Sequence, residues 1–125
     1  MHTYGNVHRQ SVNGLDLVFR HNKNLSEEEI ALFKDDNQIG YLSYTLSGDI
    51  CLLGILKVQD DYKRKGHGSF LLQQLETLTK SKNIKKIYVS IGYTVEYESE
   101  EALTAFYTGN GYSVSNSAAE KILYE

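Results

Sequence analysis

Proline is absent from this sequence of 125 residues, and cysteine occurs once, at Cys51. A single cysteine excludes an internal disulfide framework and a cysteine-rich zinc site. It also favours a reducing compartment, because disulfides are rare in the cytosol. The four histidines do not have the spacing of metal ligands, so we expect no bound metal.

Long apolar runs are missing as well, since none approaches the roughly 20 residues that a membrane-spanning helix needs. The first ten residues are polar and have no apolar centre of the kind found in signal peptides. We therefore expect a cytoplasmic protein without a membrane partner. The net charge of −3 argues against a nucleic-acid partner and means that any anion site is local.

The residues that are present have a globular balance, with 41% hydrophobic and 23% charged. The length suits one domain, which we place at residues 1–125. Residues 1–14 are polar, and we expect them to be loosely ordered. The sequence leaves a monomer and a homodimer equally open.

Apolar and alternating runs predict a meander of strands separated by polar turns. These predicted strands cover residues 15–20, 30–33, 39–46 and 50–58. The last run is almost wholly apolar, which predicts a central strand covered on both faces. Gly54 inside it indicates a bulge or a close approach of another segment.

The pattern then changes to helical spacing, with leucines at 71, 75 and 78. We predict a helix to about residue 82 and a strand over 84–91, a βαβ unit with parallel strands. A second helix begins after Ser99, a possible N-cap, and ends at Gly109–Gly111. Short strands at 112–114 and 121–124 close an α/β (α+β) fold, a mixed sheet with helices packed on it.

The segment Lys63-Arg64-Lys65-Gly66-His67-Gly68 lies between a buried strand and a helix start. Free backbone N–H groups and the helix dipole make such a place suitable for an anion. The segment is neither a P-loop nor the dinucleotide fingerprint, whose third glycine is replaced by Leu71. On these residues alone, a basic turn with glycines for tight packing is as good an explanation.

In its context, the stretch Asp61 to Gly68 resembles motif A, R/Q-x-x-G-x-G/A, of the GCN5-related N-acetyltransferases (the GNAT superfamily). The stretch Ala102 to Tyr107, followed by Gly111-Tyr112, is similar to the motif F/L-Y-x-x-x-G-F/Y near the end of that family's sequences. The resemblance extends from about Gln38 to the C-terminus. It implies a mostly antiparallel, twisted sheet and an N-acetyltransferase that moves the acetyl group from acetyl-CoA to an amine by direct attack.

The resemblance also implies the residues of the site. The cofactor-binding residues would be Leu56, Lys57, Val58, Lys63, Arg64, Lys65, Gly66, His67, Gly68, Ser69, Phe106 and Tyr107. Tyr107 has the position of the family's frequent general acid, which protonates the departing CoA thiolate; packing beside Phe106 is the alternative. Lys63 stands where arginine or glutamine is usual and lacks their planar head group.

Two further departures from the family concern the acceptor. Many members carry a glutamate base on the central strand, whereas this chain has Gly54-Ile55-Leu56. Glu96 and Glu98 are candidate catalytic bases, with a water chain or a purely solvated loop as alternatives. The segment between Phe19 and Ile30 is too short for the two helices that normally wall the acceptor site. This implies an open acceptor side and an acceptor that is a protein side chain or another large molecule.

Two other functions fit the same residues. A non-catalytic acyl-CoA-binding or protein-interaction module would explain the missing carboxylate and the open acceptor side. The basic run at residues 63–65 could instead contact nucleic acid, although the acidic total charge disfavours this.

Overall fold

The computed structural model describes residues 4–91 and 99–123. The strands are β1 Tyr4–Val12, β2 Leu15–Asn22, β3 Glu27–Lys34, β4 Asn37–Ser47, β5 Ile50–Val58, β6 Lys86–Ser90, β7 Ser113–Ser115 and β8 Ala118–Ile122. The helices are α1 His67–Ser81 and α2 Glu100–Gly109, with a short 3-10 helix at Asp60–Tyr62. No helix in the described ranges is long and apolar enough to cross a membrane.

The described strands form one sheet in the order β1-β2-β3-β4-β5-β6-β8-β7. Every neighbouring pair is antiparallel except β5 and β6, which are parallel and joined through α1. The predicted mixed sheet with one parallel βαβ unit is therefore confirmed. This unit places the start of α1 at the end of β5, where the basic loop lies.

The N-terminal residues differ from our expectation of a loosely ordered segment, because Tyr4–Val12 pairs with β2, with one irregularity between Gly5 and His8. Asn13 and Gly14 join the two strands with φ values of 51° and 80°. Asn-Gly is the strongest short signal for a two-residue hairpin turn. The prediction missed it because β1 is polar, and an edge strand can be held by its backbone alone.

The main core lies between α1 and one face of the sheet. Leu71, Leu72 and Leu75 are fully buried on α1. They join a cluster of strand residues that includes Leu17, Ile30, Leu32, Ile39, Leu42, Ile87 and Val89. Each such leucine contributes about 1.5–3 kcal/mol through removal from water, so this cluster holds α1 on the sheet.

The opposite face of the sheet has no covering helix among the described residues. Leu53 is 4% exposed on the α1 side of β5, whereas Leu52 is 42% exposed on the other side, beside Tyr88 of β6. The prediction that this strand is covered on both faces is therefore wrong. Both helices lie on one side, since the amide of Asn110, the C-cap of α2, donates to the Ser69 hydroxyl of α1 at 3.2 Å.

We call the face that carries Leu52 and Tyr88 the open face. The connection between β2 and β3 spans only residues 23–26 and contains no helix, as the short segment predicted.

Candidate functional site

The basic loop ends in a helix start whose first N–H groups have no side-chain cap. Gly66 is the N-cap of α1 with φ 86°, and no side chain accepts a hydrogen bond there. The Gly66 carbonyl accepts the first helical bond from the Phe70 N–H at 2.9 Å. The backbone N–H groups at the start of α1 are therefore available to an anion.

A cleft of about 940 Å³ lies in front of this helix start. Its lining residues come from the end of β5, the loop, α1 and α2: Leu56, Lys57, Val58, Asp60, Tyr62, Lys63, Arg64, Gly66, Gly68, Ser69, Ala102, Leu103 and Phe106. The structure thus brings most of the predicted cofactor-binding residues together around one cavity. A cavity of this size is large enough for an extended ligand.

The cleft is positive although the whole chain is acidic. Among residues 4–91 and 99–123, Lys57, Lys63 and Arg64 line it against a single carboxylate, Asp60. The Asp60 carboxylate is 3.2 Å from the Lys63 ammonium and almost fully exposed. This excess of positive charge beside uncapped amides fits a diphosphate.

Three predicted cofactor-binding residues do not line the cleft. The Lys65 ammonium lies 5.8 Å from the centre of the Tyr62 ring, and the His67 ring is 6.2 Å from the same ring. Tyr107, the third, is buried in the core at 1% exposure.

The lining includes four residues that the sequence reasoning missed: Asp60, Tyr62, Ala102 and Leu103. The pair on α2 could be found only by knowing that α2 packs against α1.

Gly68 lies where the two helices and β5 meet. A Cβ at this position would be 3.3 Å from Cε1 of Phe106 and 3.8 Å from Cγ2 of Val58. The missing side chain therefore lets Phe106 pack directly against α1, in addition to leaving the backbone open toward the cleft.

The Tyr107 ring packs edge-on against Phe106 at 5.0 Å and Tyr112 at 5.6 Å between ring centres. Burial raises the pKa of the Tyr107 phenol well above its ordinary value, so that it stays neutral. The phenol lies directly behind the cleft wall, where Phe106 is the exposed neighbour.

Strand β5 continues past its ladder with β6. The last parallel pair is Leu53 with Val89, although β5 extends to Val58. On its other side, Leu56 pairs with Leu42 and Leu53 with Tyr44, so that Gly54 and Ile55 both oppose Ser43.

This two-against-one pairing is the bulge that the glycine at position 54 predicted. The Ile55 N–H donates to the Ser43 hydroxyl at 3.2 Å.

A carboxylate that the sequence reasoning missed lies against this bulge. A Cβ built on Gly54 would be 2.9 Å from Oγ of Ser43 and 3.3 Å from Oε2 of Glu27. The sequence indicated only that Glu27 belongs to a polar connector, because pairing between distant strands leaves no mark in the local pattern. Glu96 and Glu98, the predicted candidate bases, lie outside the described residues.

Glu27 lines a second, smaller pocket of about 260 Å³. Its lining residues are Arg20, Asn22, Leu25, Glu27, Glu29, Gln38, Tyr41, Ser43 and Ile55. Most of these lie in a row across the open face, since Arg20 pairs with Glu29 and Glu29 pairs with Ser43. The two cavities meet along β5, where Ile55 lines this pocket and Leu56 lines the cleft.

Comparison with known proteins identifies the architecture. The acetyltransferase (GNAT) domain profile matches residues 26–114, most of the chain. A search of curated protein sequences finds no match.

Solved structures of this architecture include coenzyme A complexes. The N-acetyltransferase PaiA from Thermoplasma acidophilum, in complex with coenzyme A, superposes with a TM-score of 0.65 and 22% identity over 75% of this chain. This chain spans 59% of that protein's length.

Two other solved structures have the same fold. An aminoglycoside 6′-N-acetyltransferase complexed with coenzyme A has a TM-score of 0.63 and 15% identity, covering 79% of this chain and 74% of its own. A ribosomal-protein alanine N-acetyltransferase from Escherichia coli has a TM-score of 0.69 and 15% identity, covering 79% of this chain and 70% of its own.

Proposed function

Since this chain belongs to the acetyltransferase (GNAT) family, we propose that it is an N-acetyltransferase in which an acceptor amine directly attacks acetyl-CoA. The observation that supports this most is the positive cleft in front of the uncapped start of α1. It lies beside the end of β5, beyond the last residue that pairs with β6.

The residues of the cleft would hold the donor, whose thioester supplies an activated acetyl group. The first-turn amides of α1, with Lys63 and Arg64, suit its diphosphate. The backbone of Leu56 and Val58 suits the pantetheine arm, because this part of β5 extends past its pairing with β6. Holding donor and acceptor side by side can contribute about 7–11 kcal/mol to lowering the barrier.

We assign to Tyr107 the proton that the leaving thiolate takes up. Its phenol is neutral and therefore carries a proton that it can donate. A thiol has an ordinary pKa of about 8.5, below that of a phenol, so a free thiolate is a weaker base than the phenolate. The proton is therefore transferred to sulfur while the carbon–sulfur bond breaks.

The acceptor side supports a macromolecular amine. In the described part of the chain, no helix covers the open face to enclose a small metabolite. The E. coli protein with this fold acts on a ribosomal protein. The pocket on this face is smaller than the roughly 300–1,000 Å³ typical of whole small-molecule sites, so it suits the tip of a longer chain.

Binding and transfer are tested separately. Acetyl-CoA at 100 times its Kd raises the stability of the folded protein by about 2.7 kcal/mol, which a thermal-shift assay detects. Release of CoA thiol is then followed with lysine peptides, N-terminal peptides and small amines, and intact mass locates the added acetyl group. Turnover on small metabolites alone contradicts the macromolecular acceptor, and absence of any thermal shift contradicts the donor.

A binding module without catalysis is the second candidate, favoured by Gly54, which leaves β5 without a carboxylate. Such a module would bind acetyl-CoA in the same assay and release no thiol with any acceptor. Calorimetry with acetyl-CoA and with CoA gives its signature, which is tight binding of both without turnover.

A further inference from the structure

We propose that Glu27 receives the acceptor's ammonium group and takes its proton, the function that no carboxylate on β5 provides. This inference rests on the proposed acetyl transfer and identifies the acceptor as a primary amine presented to the open face. The observation behind it is the position of the Glu27 carboxylate beside Gly54, two strands away from β3.

Gly54 is what allows Glu27 to reach β5. Any side chain at position 54 would need the space next to the Ser43 hydroxyl and the Glu27 carboxylate, at 2.9 and 3.3 Å from its Cβ. The Ser43 hydroxyl accepts the Ile55 N–H at 3.2 Å, which holds it at the bulge. A carboxylate is therefore present at this point of the central strand, but it is supplied from β3.

The charges around Glu27 suit a cation. The described residues of its pocket include two carboxylates and one guanidinium, a formal charge of −1. The Arg20 guanidinium lies 3.0 Å from the Glu29 carboxylate, and both side chains are largely buried. Glu29 also accepts from the Asn22 amide at 3.1 Å.

The Glu27 side chain, by contrast, forms no hydrogen bond or ion pair within the described part of the chain. Its charge is therefore the one left for a ligand.

The pocket of Glu27 also lies next to the cleft assigned to acetyl-CoA. Ile55 lines it, and the next residue, Leu56, lines the cleft assigned to acetyl-CoA. An amine held at Glu27 therefore approaches β5 at the bulge, from the open face. No helix of the described ranges lies in the way, because β2 and β3 are joined by a short turn.

The reaction balances with one proton moved to Glu27. The acceptor enters as R–NH3⁺, and the carboxylate takes one proton, which leaves a neutral amine with a free electron pair. The nitrogen forms a bond to the acetyl carbonyl carbon while the carbon–sulfur bond breaks. Sulfur departs with the bonding pair and takes the proton of Tyr107. The second proton of nitrogen passes through water to reprotonate Tyr107, and the proton on Glu27 returns to water, so that one proton is released overall.

The experiment compares Glu27→Gln with Glu28→Gln, a matched change on the same strand. Glu28 faces the other side of β3, where it pairs with His21. We expect Glu27→Gln to lower kcat on a lysine peptide at pH 7 by about 100-fold or more, a usual effect of losing a general base. Glu28→Gln should retain activity, and both variants should bind CoA like the wild type.

Two readouts separate proton removal from a structural effect. A lysine amine has a pKa of about 10.4 and an N-terminal amine about 7.7–8.0. The defect of Glu27→Gln should therefore be smaller on N-terminal peptides, and it should shrink on lysine peptides as the pH rises from 7 toward 9.5. Glu27→Asp should recover part of the activity.

Each outcome is decisive. Wild-type turnover that Glu27→Gln leaves intact at pH 7, or lowers equally at every pH and on both amines, overturns the inference and leaves the proposed function standing. CoA binding without wild-type turnover on any acceptor overturns both. Glu96→Gln and Glu98→Gln run in parallel, and a pH-dependent loss confined to either of them assigns the base there instead.

Discussion

Three positions at one end of the sheet are occupied by glycine, each for a different physical reason. Gly66 has a φ of 86°, which residues with a side chain rarely adopt. A Cβ on Gly68 would lie 3.3 Å from Phe106, whose ring would have to shift slightly, and Gly54 leaves space for Ser43 and Glu27. The first concerns the backbone, the second the packing of two helices, and the third the acceptor side of the site.

Replacing Gly66 by alanine tests the backbone at the helix start. Left-handed backbone costs roughly 1–2 kcal/mol for a residue with a Cβ, so Gly66→Ala should lower the free energy of unfolding by about that amount and weaken acetyl-CoA binding several-fold. Gly48→Ala is the matched control, since Gly48 also has positive φ and open surroundings but lies in the β4–β5 turn. Urea unfolding should give similar losses of stability for the two variants. Calorimetry should show weaker acetyl-CoA binding only for Gly66→Ala.

Tyr107→Phe tests the proton donor. We expect kcat to fall about 10-fold or more while acetyl-CoA binding is retained, because the ring and its contacts with Phe106 and Tyr112 remain. A loss of binding without a loss of kcat would mean that Tyr107 only supports the cleft wall. Tyr88→Phe, an exposed change on the open face, is the control for removing a phenol.

At the scale of elements, helix α2 begins with the N-cap that the sequence predicted. The Ser99 hydroxyl accepts from the Ala102 N–H at 3.0 Å, and Glu100 and Glu101 lie in the positive first turn. Since α2 supplies Ala102, Leu103 and Phe106 to the cleft, its stability affects the site as well as the fold.

Ser99→Ala removes this cap. It should lower the free energy of unfolding by about 1 kcal/mol, which shifts Tm by several degrees. Ser113→Ala on β7 is an exposed serine outside any cap, and it should change stability by less than about 0.5 kcal/mol. Differential scanning calorimetry distinguishes the two, and equal shifts would contradict the cap.

Most elements could be predicted from the sequence because each leaves a local pattern. The bounds of β5 match the apolar run 50–58, and α1 follows the leucines that face the core. The polar strand β1 was missed, since pairing at an edge needs no apolar side chain. The site was predictable on its donor side, where the residues are close in sequence, and not at Glu27, which is brought to Gly54 only by strand pairing.

At the scale of the whole molecule, the core formed by the described residues contains four titratable groups. Burial raises the pKa of the Cys51 thiol to about 12 and raises the pKa values of Tyr44, Tyr107 and Tyr112 above their ordinary range. Glu76, which accepts from the Tyr112 hydroxyl at 3.0 Å, adds to the shift at that residue. All four groups are neutral in the folded protein at pH 7.

These shifts make the fold sensitive to alkali. The folded state keeps protons that the unfolded state loses above about pH 9 for cysteine and pH 10 for tyrosine, so stability is full below these values and falls above them. Each group contributes a slope of up to about 1.4 kcal/mol per pH unit. Urea unfolding between pH 7 and 11 measures how the free energy of unfolding decreases with pH. Tyr112→Phe should reduce the slope of this decrease by the contribution of one group, and an unchanged slope would contradict the assignment.

The burial of Cys51 has a practical consequence. At 0% exposure and with a pKa near 12, its thiol offers almost no reactive thiolate to a maleimide at neutral pH. A second cysteine introduced at an exposed position such as Leu52 could then carry a fluorescent dye while the native residue is left in place. Such a probe would report the binding of an acceptor to the open face by a change in its fluorescence emission.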